Sequence, residues 1–487
     1  MMLTILLLLA VPLLSTGFTA RSRSLEKNYV ATLVTGAGHL TATLYLLLTL
    51  QNPFPAGAWF GIDSLGRFFL LILSHTFFAV TLYSPSFLQR MDKPEYQTSR
   101  QLYYPALNSY LLASTLVVAT ENFGLLWVVI EFTTFSLVPM IYFYRSKESL
   151  EAVWKYLFLV SLGLVFLLIG IMALGLAAKG AGEHESLVLS DLVRHAAQLD
   201  PLWVKTSFVF ALVGIGAKIG LAPMHPADID ATSNAPGPVA ALMAGSLRST
   251  AMLVLLRFYE VACNTSVRAF SQRLLMIAGA FSILVAAVYI WRTRDYKRLL
   301  AYSSVEHLGI ITLASGVGGA AMLGALLHTL FNSFGKIALF FMAGRINRDL
   351  KTREIDSVHG LMQRLPWSGF VFGLAFFYII GTPPFGLFFS ELLILRGMIH
   401  AQNWLALGVF LVLLMIIFIG MSRAVLRMLQ SPEPAAGSPA GKPLERFHIA
   451  HAVSLYALAV SVPIAILRPE FLFGPLRSIL AEFGFSL

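Results

Sequence analysis

SFVFALVGIGAKIGLAPM, residues 207–224, is apolar enough to enter a bilayer, yet it carries Lys218 in its middle and runs into Pro223 and Pro226. Two other long apolar runs are interrupted in the same way. Residues 123–143, FGLLWVVIEFTTFSLVPMIYF, hold Glu131, and Glu391 stands between GTPPFGLFFS (381–390) and LLILRGM (392–398). A charge at the bilayer centre costs roughly 3 kcal/mol on insertion scales, so such a side chain faces a protein interior or a wet path. Three of them in one chain point to the movement of protons or ions.

Composition agrees with a membrane setting. Of 487 residues, 57% are hydrophobic and 12% charged, against about 25% charged in an ordinary soluble domain. The mean hydropathy is +0.75, too high for one aqueous core to hide the apolar surface. The net charge of +10 comes from basic residues in short loops between apolar runs, the pattern of membrane topology and not of a nucleic-acid face. One cysteine, Cys263, excludes an internal disulfide or a thiolate cluster.

Windows of about 20 apolar residues predict an all-α polytopic protein with fourteen transmembrane spans. They lie near 2–20, 29–50, 64–83, 103–119, 122–143, 152–177, 204–223, 238–257, 274–291, 300–315, 321–344, 366–396, 404–422 and 447–467. The first run lacks a basic n-region and is followed by Arg21, Arg23 and Lys27, so it reads as a retained helix. Loops after odd spans carry 22 Lys and Arg and loops after even spans 4. The positive-inside rule then puts the odd loops in the cytoplasm and both termini outside. Residues 179–203 read as a short amphipathic helix on the outer surface, and 430–446 as a Pro/Gly/Ser-rich linker. Arg257 and Arg396, near helix ends, are expected to snorkel. The chain stopping at Leu487 leaves no room for a lateral helical anchor after span 14.

Spans 7 and 12 cannot be continuous. Pro223, Pro226, Pro236 and Pro238 interrupt the first, and GTPPFG at 381–386 the second. Irregular backbone at membrane depth is tolerated only where protein or a cavity satisfies it. Paired broken helices suggest inverted repeats. Spans 4–8 (103–260) and 9–13 (261–430) would each be a five-helix unit with its fourth helix broken, after a three-helix segment (1–102) and before a linker and last span (431–487).

Five segments together resemble the antiporter-like subunits of respiratory complex I and its relatives: GIDSLGRFFLL (61–71), WVVIEFTTFSLVPM (127–140), KIGLAPMHPADIDATSNAPGPVAAL (218–242), DYKRLLAYSSVEHLG (295–309) and GTPPFGLFFSELLIL (381–395). FYRSKESLEAVWKYL (143–157) and the glutamate of AYSSVEHLG are most similar to the hydrogenase-4 component F type, membrane subunits of group 4 [NiFe]-hydrogenases and formate hydrogenlyase-type assemblies. The resemblance implies a proton path through Glu131 and Lys218, then His225, His307, His328 and Lys336, then Glu391. Asp230, Arg248 and Glu306 are possible accessories. Two features depart from the family pattern. ADIDAT replaces WLPDAH, and Ser249 stands where complex I members have a span-8 lysine, with Arg248 one helical step, about 100°, away.

The physics of such a path is electrostatic. One unit charge about 4 Å from another at an effective dielectric of 20 is worth about 4 kcal/mol. Moving Glu131 toward or away from Lys218 would decide whether the lysine keeps its proton. No Walker loop, HExxH, GxSxG or CxxC occurs, so no cofactor or metal is expected. Redox chemistry would belong to a cytoplasmic module, a [NiFe]-hydrogenase or similar, joined to other membrane subunits in a bacterial or archaeal cytoplasmic membrane, with lipid as surroundings. The alternatives are a subunit of a multisubunit Na+/H+ antiporter, a subunit of NADH:quinone oxidoreductase, or an inert scaffold that tolerates neutralisation of Glu131 and Lys218.

Overall fold

The computed structural model describes residues 2–49, 54–55, 59–179, 186–430 and 445–486. The chain begins with α1 (Met2–Arg21), α2 (Leu25–Thr49), α3 (Ser64–Leu88), α4 (Gln97–Ala119), α5 (Phe123–Ile141) and α6 (Lys147–Ala178). A short α7 (Leu189–Arg194) precedes α8 (Pro201–Ile219), α9 (Pro226–Asn234), α10 (Gly237–Leu242) and α11 (Arg248–Cys263). Next come α12 (Arg268–Arg292), α13 (Tyr296–Val317), α14 (Gly319–Leu350), α15 (Leu361–Arg364), α16 (Pro366–Ile379), α17 (Gly386–His400) and α18 (Trp404–Gln430). The last two are α19 (Ile449–Leu467) and α20 (Glu470–Glu482).

Every expected span falls on helix, and among the described residues 11 helices are long and apolar enough to cross a membrane. Three spans are composite. Span 7 is α8 plus α9, span 12 is α16 plus α17, and span 8 is α10 joined to α11 through a π-helical turn, Met243–Leu247. The apolar stretches of α14 and of Gly237–Cys263 are wholly buried, whereas those of α1 and α18 are mostly exposed. The bundle therefore has a protein-lined centre and an outer ring whose large apolar side chains, such as Phe158 and Leu405, point outward. Similar packing recurs along the chain: α4 on α5 and α12 on α13, α6 on α8 and α9, and α14 on α16 and α17.

Several details differ from the sequence reading. Within 179–203 the α-helix ahead of α8 is the short Leu189–Arg194, and 180–185 lie outside the described residues. Most of the 430–446 linker, 431–444, also lies outside them. Beyond span 14 the chain makes α20, whose face of Leu472, Phe473, Leu476, Ile479 and Leu480 is buried, with α3 as its main neighbour. Arg257 does not snorkel. It is 1% exposed, and its guanidinium donates to the carbonyls of Val118 (2.7 Å), Val117 (3.2 Å) and Thr120 at the end of α4, with Asp63 3.6 Å away. The last carbonyls of a helix have no intrahelical donor, and a buried guanidinium supplies several at once.

A polar latch ties α19 to the bundle. Glu445, just before that helix, lies 3.2 Å from Arg345 and 3.3 Å from His451, and accepts from the Ser368 backbone N–H (2.9 Å) and its hydroxyl. The Nδ1 of His451 accepts from the His448 N–H (3.0 Å), which leaves Nε2 to donate to the carboxylate. Burial opposes charge on Glu445, but hydrogen bonds from His451, Ser368 and Arg345 outweigh it and hold the carboxyl at about 2. A depressed folded-state value stabilises above the ordinary carboxylate range, and the stabilisation is lost as pH falls toward the folded value. Glu445→Gln is expected to cost roughly 1–3 kcal/mol at pH 7 by leaving Arg345 without its carboxylate. In thermal melts of the detergent-solubilised chain, the gap to the parent should be full above about pH 5 and close as pH drops toward about 2. A gap that does not narrow would show that the carboxylate charge is not what holds the latch.

Candidate functional site

The intramembrane ionisable residues fall into three polar groups among the described residues. The first joins α5, α6 and α8. Lys218, in the last turn of α8, is fully buried, and its Nζ donates to Thr134 Oγ1 at 2.6 Å. Thr134 stands three residues after Glu131 on α5, a spacing that puts both on one helix face. Ser161 of α6 donates to Glu131 Oε1 at 2.7 Å, and the other carboxylate oxygen is buried without a partner. Among the described residues Lys218 has no carboxylate within ion-pair distance. A hydroxyl, Thr134, is therefore the direct partner of the lysine.

The second group fills the break in span 7. Gly220 ends α8 with φ +82°, and a side chain there would run into the Asp228 carboxylate. Asp228 is fully buried on α9 and accepts from Arg248 Nε at 3.0 Å and from its Nη2, while Nη2 also donates to Thr232 at 2.8 Å. The π turn ends immediately before Arg248. Such a turn accommodates an extra residue and rotates the helix beyond it, and Arg248 points inward. α9, which carries the acid of this pair, touches both α6 and α13. Asp230, the acid singled out from the sequence, faces elsewhere, 3.3 Å from Lys155 and 3.2 Å from Arg298 at the rim. Sequence reasoning missed Asp228. The available signal was its place in the first turn of a helix opened by Pro226, where an acid is favoured.

The third group joins α13, α14 and α17. Lys336 is fully buried and donates to Ser303 Oγ at 2.5 Å and to the Leu300 carbonyl at 3.3 Å. The rings of His307 and His328 share a hydrogen bond (Nδ1 to Nε2, 2.9 Å), and His328 Nδ1 lies 3.0 Å from Ser390 Oγ. The next residue is Glu391. Its carboxylate lies against Gly381, which has φ +70° in the break of span 12. Glu306 and Glu391 line one cavity of about 310 Å³, walled by Ile380 and, on α18, by Leu414, Met415, Ile417 and Phe418. His225 stands apart from the hydrogen-bonded groups. It packs on the stacked rings of Tyr289 and Tyr302, and its Nδ1 is buried without a partner.

The two breaks share one form. Each has a positive-φ glycine three residues before a cis proline, at Gly220 with Pro223 and at Gly381 with Pro384. In each, a carboxylate from the second half-helix sits on that glycine. Among the described residues no group of three or more His, Cys, Asp or Glu could hold a metal ion.

Residues 120–417, which include all three groups, match the family described as NADH:quinone oxidoreductase/Mrp antiporter, transmembrane. A hydrogenase-4 component F homolog from Methylacidiphilum infernorum is 36% identical over 360 residues, 72% of this chain and 75% of that one. The fold is similar to that of a chain in the membrane-bound sulfane sulfur reductase, an archaeal respiratory membrane complex (TM-score 0.85, 20% identity, 98% and 99% of the two chains). It is equally similar to that of a chain in the Mrp complex of Dietzia sp. (TM-score 0.85, 17% identity, 99% and 98%).

The Asp228–Arg248 pair can be tested without reference to transport. Arg248→Met leaves a buried carboxylate uncompensated and is expected to destabilise by roughly 3–5 kcal/mol. Adding Asp228→Asn should recover a large part of that loss. The double-mutant cycle is read from melting in detergent, and strictly additive losses would mean that the two side chains are not coupled.

Proposed function

Because the chain belongs to the NADH:quinone oxidoreductase/Mrp antiporter family of membrane subunits, we propose that it carries protons along its three buried polar groups within a group 4 membrane-bound [NiFe]-hydrogenase-type assembly. The similarity to a hydrogenase-4 component F homolog supports this choice of parent complex over NADH:quinone oxidoreductase or a Na+/H+ antiporter. On this reading the chain holds no redox centre. It is driven by a cytoplasmic redox module and joined to sister membrane subunits. The loops rich in Lys and Arg face the cytoplasm and both termini face out, in keeping with the positive-inside rule.

The observation that carries the proposal is the way Lys218 and Lys336 are held. Both are fully buried, and both are bonded to neutral oxygens rather than to a carboxylate. A lysine paired directly with an acid is fixed by Coulomb attraction. One held by a hydroxyl can respond when a charge nearby moves, at about 4 kcal/mol for a unit charge at about 4 Å. Glu131, on the same face of α5 as Thr134, is the charge that would switch Lys218. A proton released there passes by bridging water toward Lys336, past the fixed Asp228–Arg248 pair. From there the His307–His328–Ser390 chain leads to the cavity shared by Glu306 and Glu391. His225 would serve a side entry along the tyrosine stack. The two five-helix units, 103–260 and 261–430, are then inverted copies, and the positive-φ glycine faced by a carboxylate in each break supports this.

Lys218→Ala is expected to assemble in the membrane and to lose at least about 90% of donor-driven proton uptake in sealed vesicles, a loss in the range that removal of a single positioned proton carrier brings. Electron transfer by the parent complex, assayed separately, reports assembly. Undiminished proton movement by this variant would rule the path out.

A further inference from the structure

A cavity outside the polar groups described above lies at the ends of two outer helices. It measures about 480 Å³ and is formed where the ends of α12 and α18 meet the loop around Ile355 and Asp356. Arg292, Arg294, Arg423 and Arg427 line it, against one acid, Asp356, which lies 2.5 Å from Arg427. Among the described residues Arg292, Arg294 and Arg423 have no ion pair. The walls are fixed. Ile355 N–H donates to the Arg294 carbonyl at 2.8 Å, and Trp291 Nε1 donates across to the Ile416 carbonyl of α18 at 3.0 Å.

The same two helices present bare hydrocarbon beside the arginines. Val288 and Trp291 of α12, and Phe418 and Ile419 of α18, are each about half exposed. They lie within about one turn of the cavity on the outer ring of the bundle. The site thus offers four guanidiniums opposite one carboxylate at the mouth and apolar surface immediately below. A soluble phosphate would satisfy the cations and leave the hydrocarbon wet. An apolar partner would do the reverse.

We infer that this cavity binds the phosphodiester headgroup of an anionic glycerophospholipid, with its acyl chains laid along the exposed faces of α12 and α18. Arginine suits this task because its planar fork can give two parallel N–H bonds to phosphate oxygens. Basic pockets between transmembrane helices are recognised sites for anionic headgroups, and an indole at the interface completes the setting. The inference does not depend on the proposed proton path. It does bear on it, since α18 also walls the cavity shared by Glu306 and Glu391.

The test is a lipid titration of the purified full chain in mild detergent, read by native mass spectrometry. Phosphatidylglycerol, cardiolipin, phosphatidylcholine and inorganic phosphate are the probes. Either anionic lipid should bind at least tenfold more tightly than phosphatidylcholine, and phosphate at millimolar concentration should not displace it. The double change Arg292→Gln with Arg423→Gln should weaken anionic-lipid binding by about thirtyfold, since an arginine near an anionic lipid surface is worth about 1 kcal/mol. The same changes at Arg21 and Arg23, basic residues elsewhere, should not. The lipid-charge preference of the unaltered chain is read independently, so the inference stays testable even where the double variant fails to fold. Equal affinity for charged and zwitterionic lipid would overturn the inference. So would displacement by phosphate alone, which would mark a site for free anions, or an unaffected double variant. Protection of Arg292 and Arg423 by a co-purifying subunit, in place of lipid, would overturn it as well.

Discussion

The structure depends on one constraint: inside hydrocarbon every polar group must find its partner within the protein. An unsatisfied backbone group there costs several kcal/mol, and an uncompensated charge more. The constraint explains why the ionisable residues gather where α5, α6, α8, α9, α13, α14 and α17 touch, and why the apolar stretches of α14 and of the α10–α11 helix at the centre are wholly buried. It also explains the buried arginines. Arg257 closes the open carbonyl end of α4, and Arg345 is held by the Glu445 latch. These are structural uses of charge.

The breaks in spans 7 and 12 arise from the same constraint. Helix α8 ends at Gly220 and α16 just before Gly381, and in both places a left-handed glycine lets the chain turn without a side chain. The space left by the missing Cβ is filled by a carboxylate, Asp228 in one half and Glu391 in the other. An ordinary helix could not bring a carboxylate so close to backbone. Breaking the helix and placing the acid are therefore one structural event, which is why prolines and intramembrane acids occur near one another in the sequence.

Legibility tracked the strength of these costs. Glu131, Lys218 and Glu391 stood out because each interrupts an apolar run, and the fourteen spans and two breaks were readable from run length and proline. What was hidden depended on neighbours distant in sequence. Thr134, Ser161, Ser303 and Ser390 are the immediate partners of the charged groups, yet a hydroxyl in an apolar helix costs little and gives no signal. Asp228 and Asp230 lie two residues apart, about 200° around a helix, so only the packing of α9 decides which is buried. Arg248 could not be oriented because a π turn precedes it, and no periodicity reveals such a turn. The helix α20 escaped notice because 13 residues interrupted by Pro475 fall below the length at which an apolar window is informative.

The contrast between Asp228–Arg248 and the two lysines separates fixed from movable charge. In the ion pair a guanidinium that stays protonated under all physiological conditions meets a carboxylate directly and also bonds Thr232. Releasing either partner would expose an uncompensated buried charge, so the pair acts as a permanent dipole beside the break in span 7. Lys218 and Lys336 hold only oxygens that stay neutral. Losing a proton there costs a hydrogen bond rather than an ion pair, a difference of the order of 1 against 3–5 kcal/mol. A carrier needs the smaller cost, because a proton held too firmly never leaves. On the proposed path, that requirement accounts for the placement of arginine in the middle and hydroxyl-bound lysine on either side, and exchanging the two kinds of cation would turn such a path into a trap.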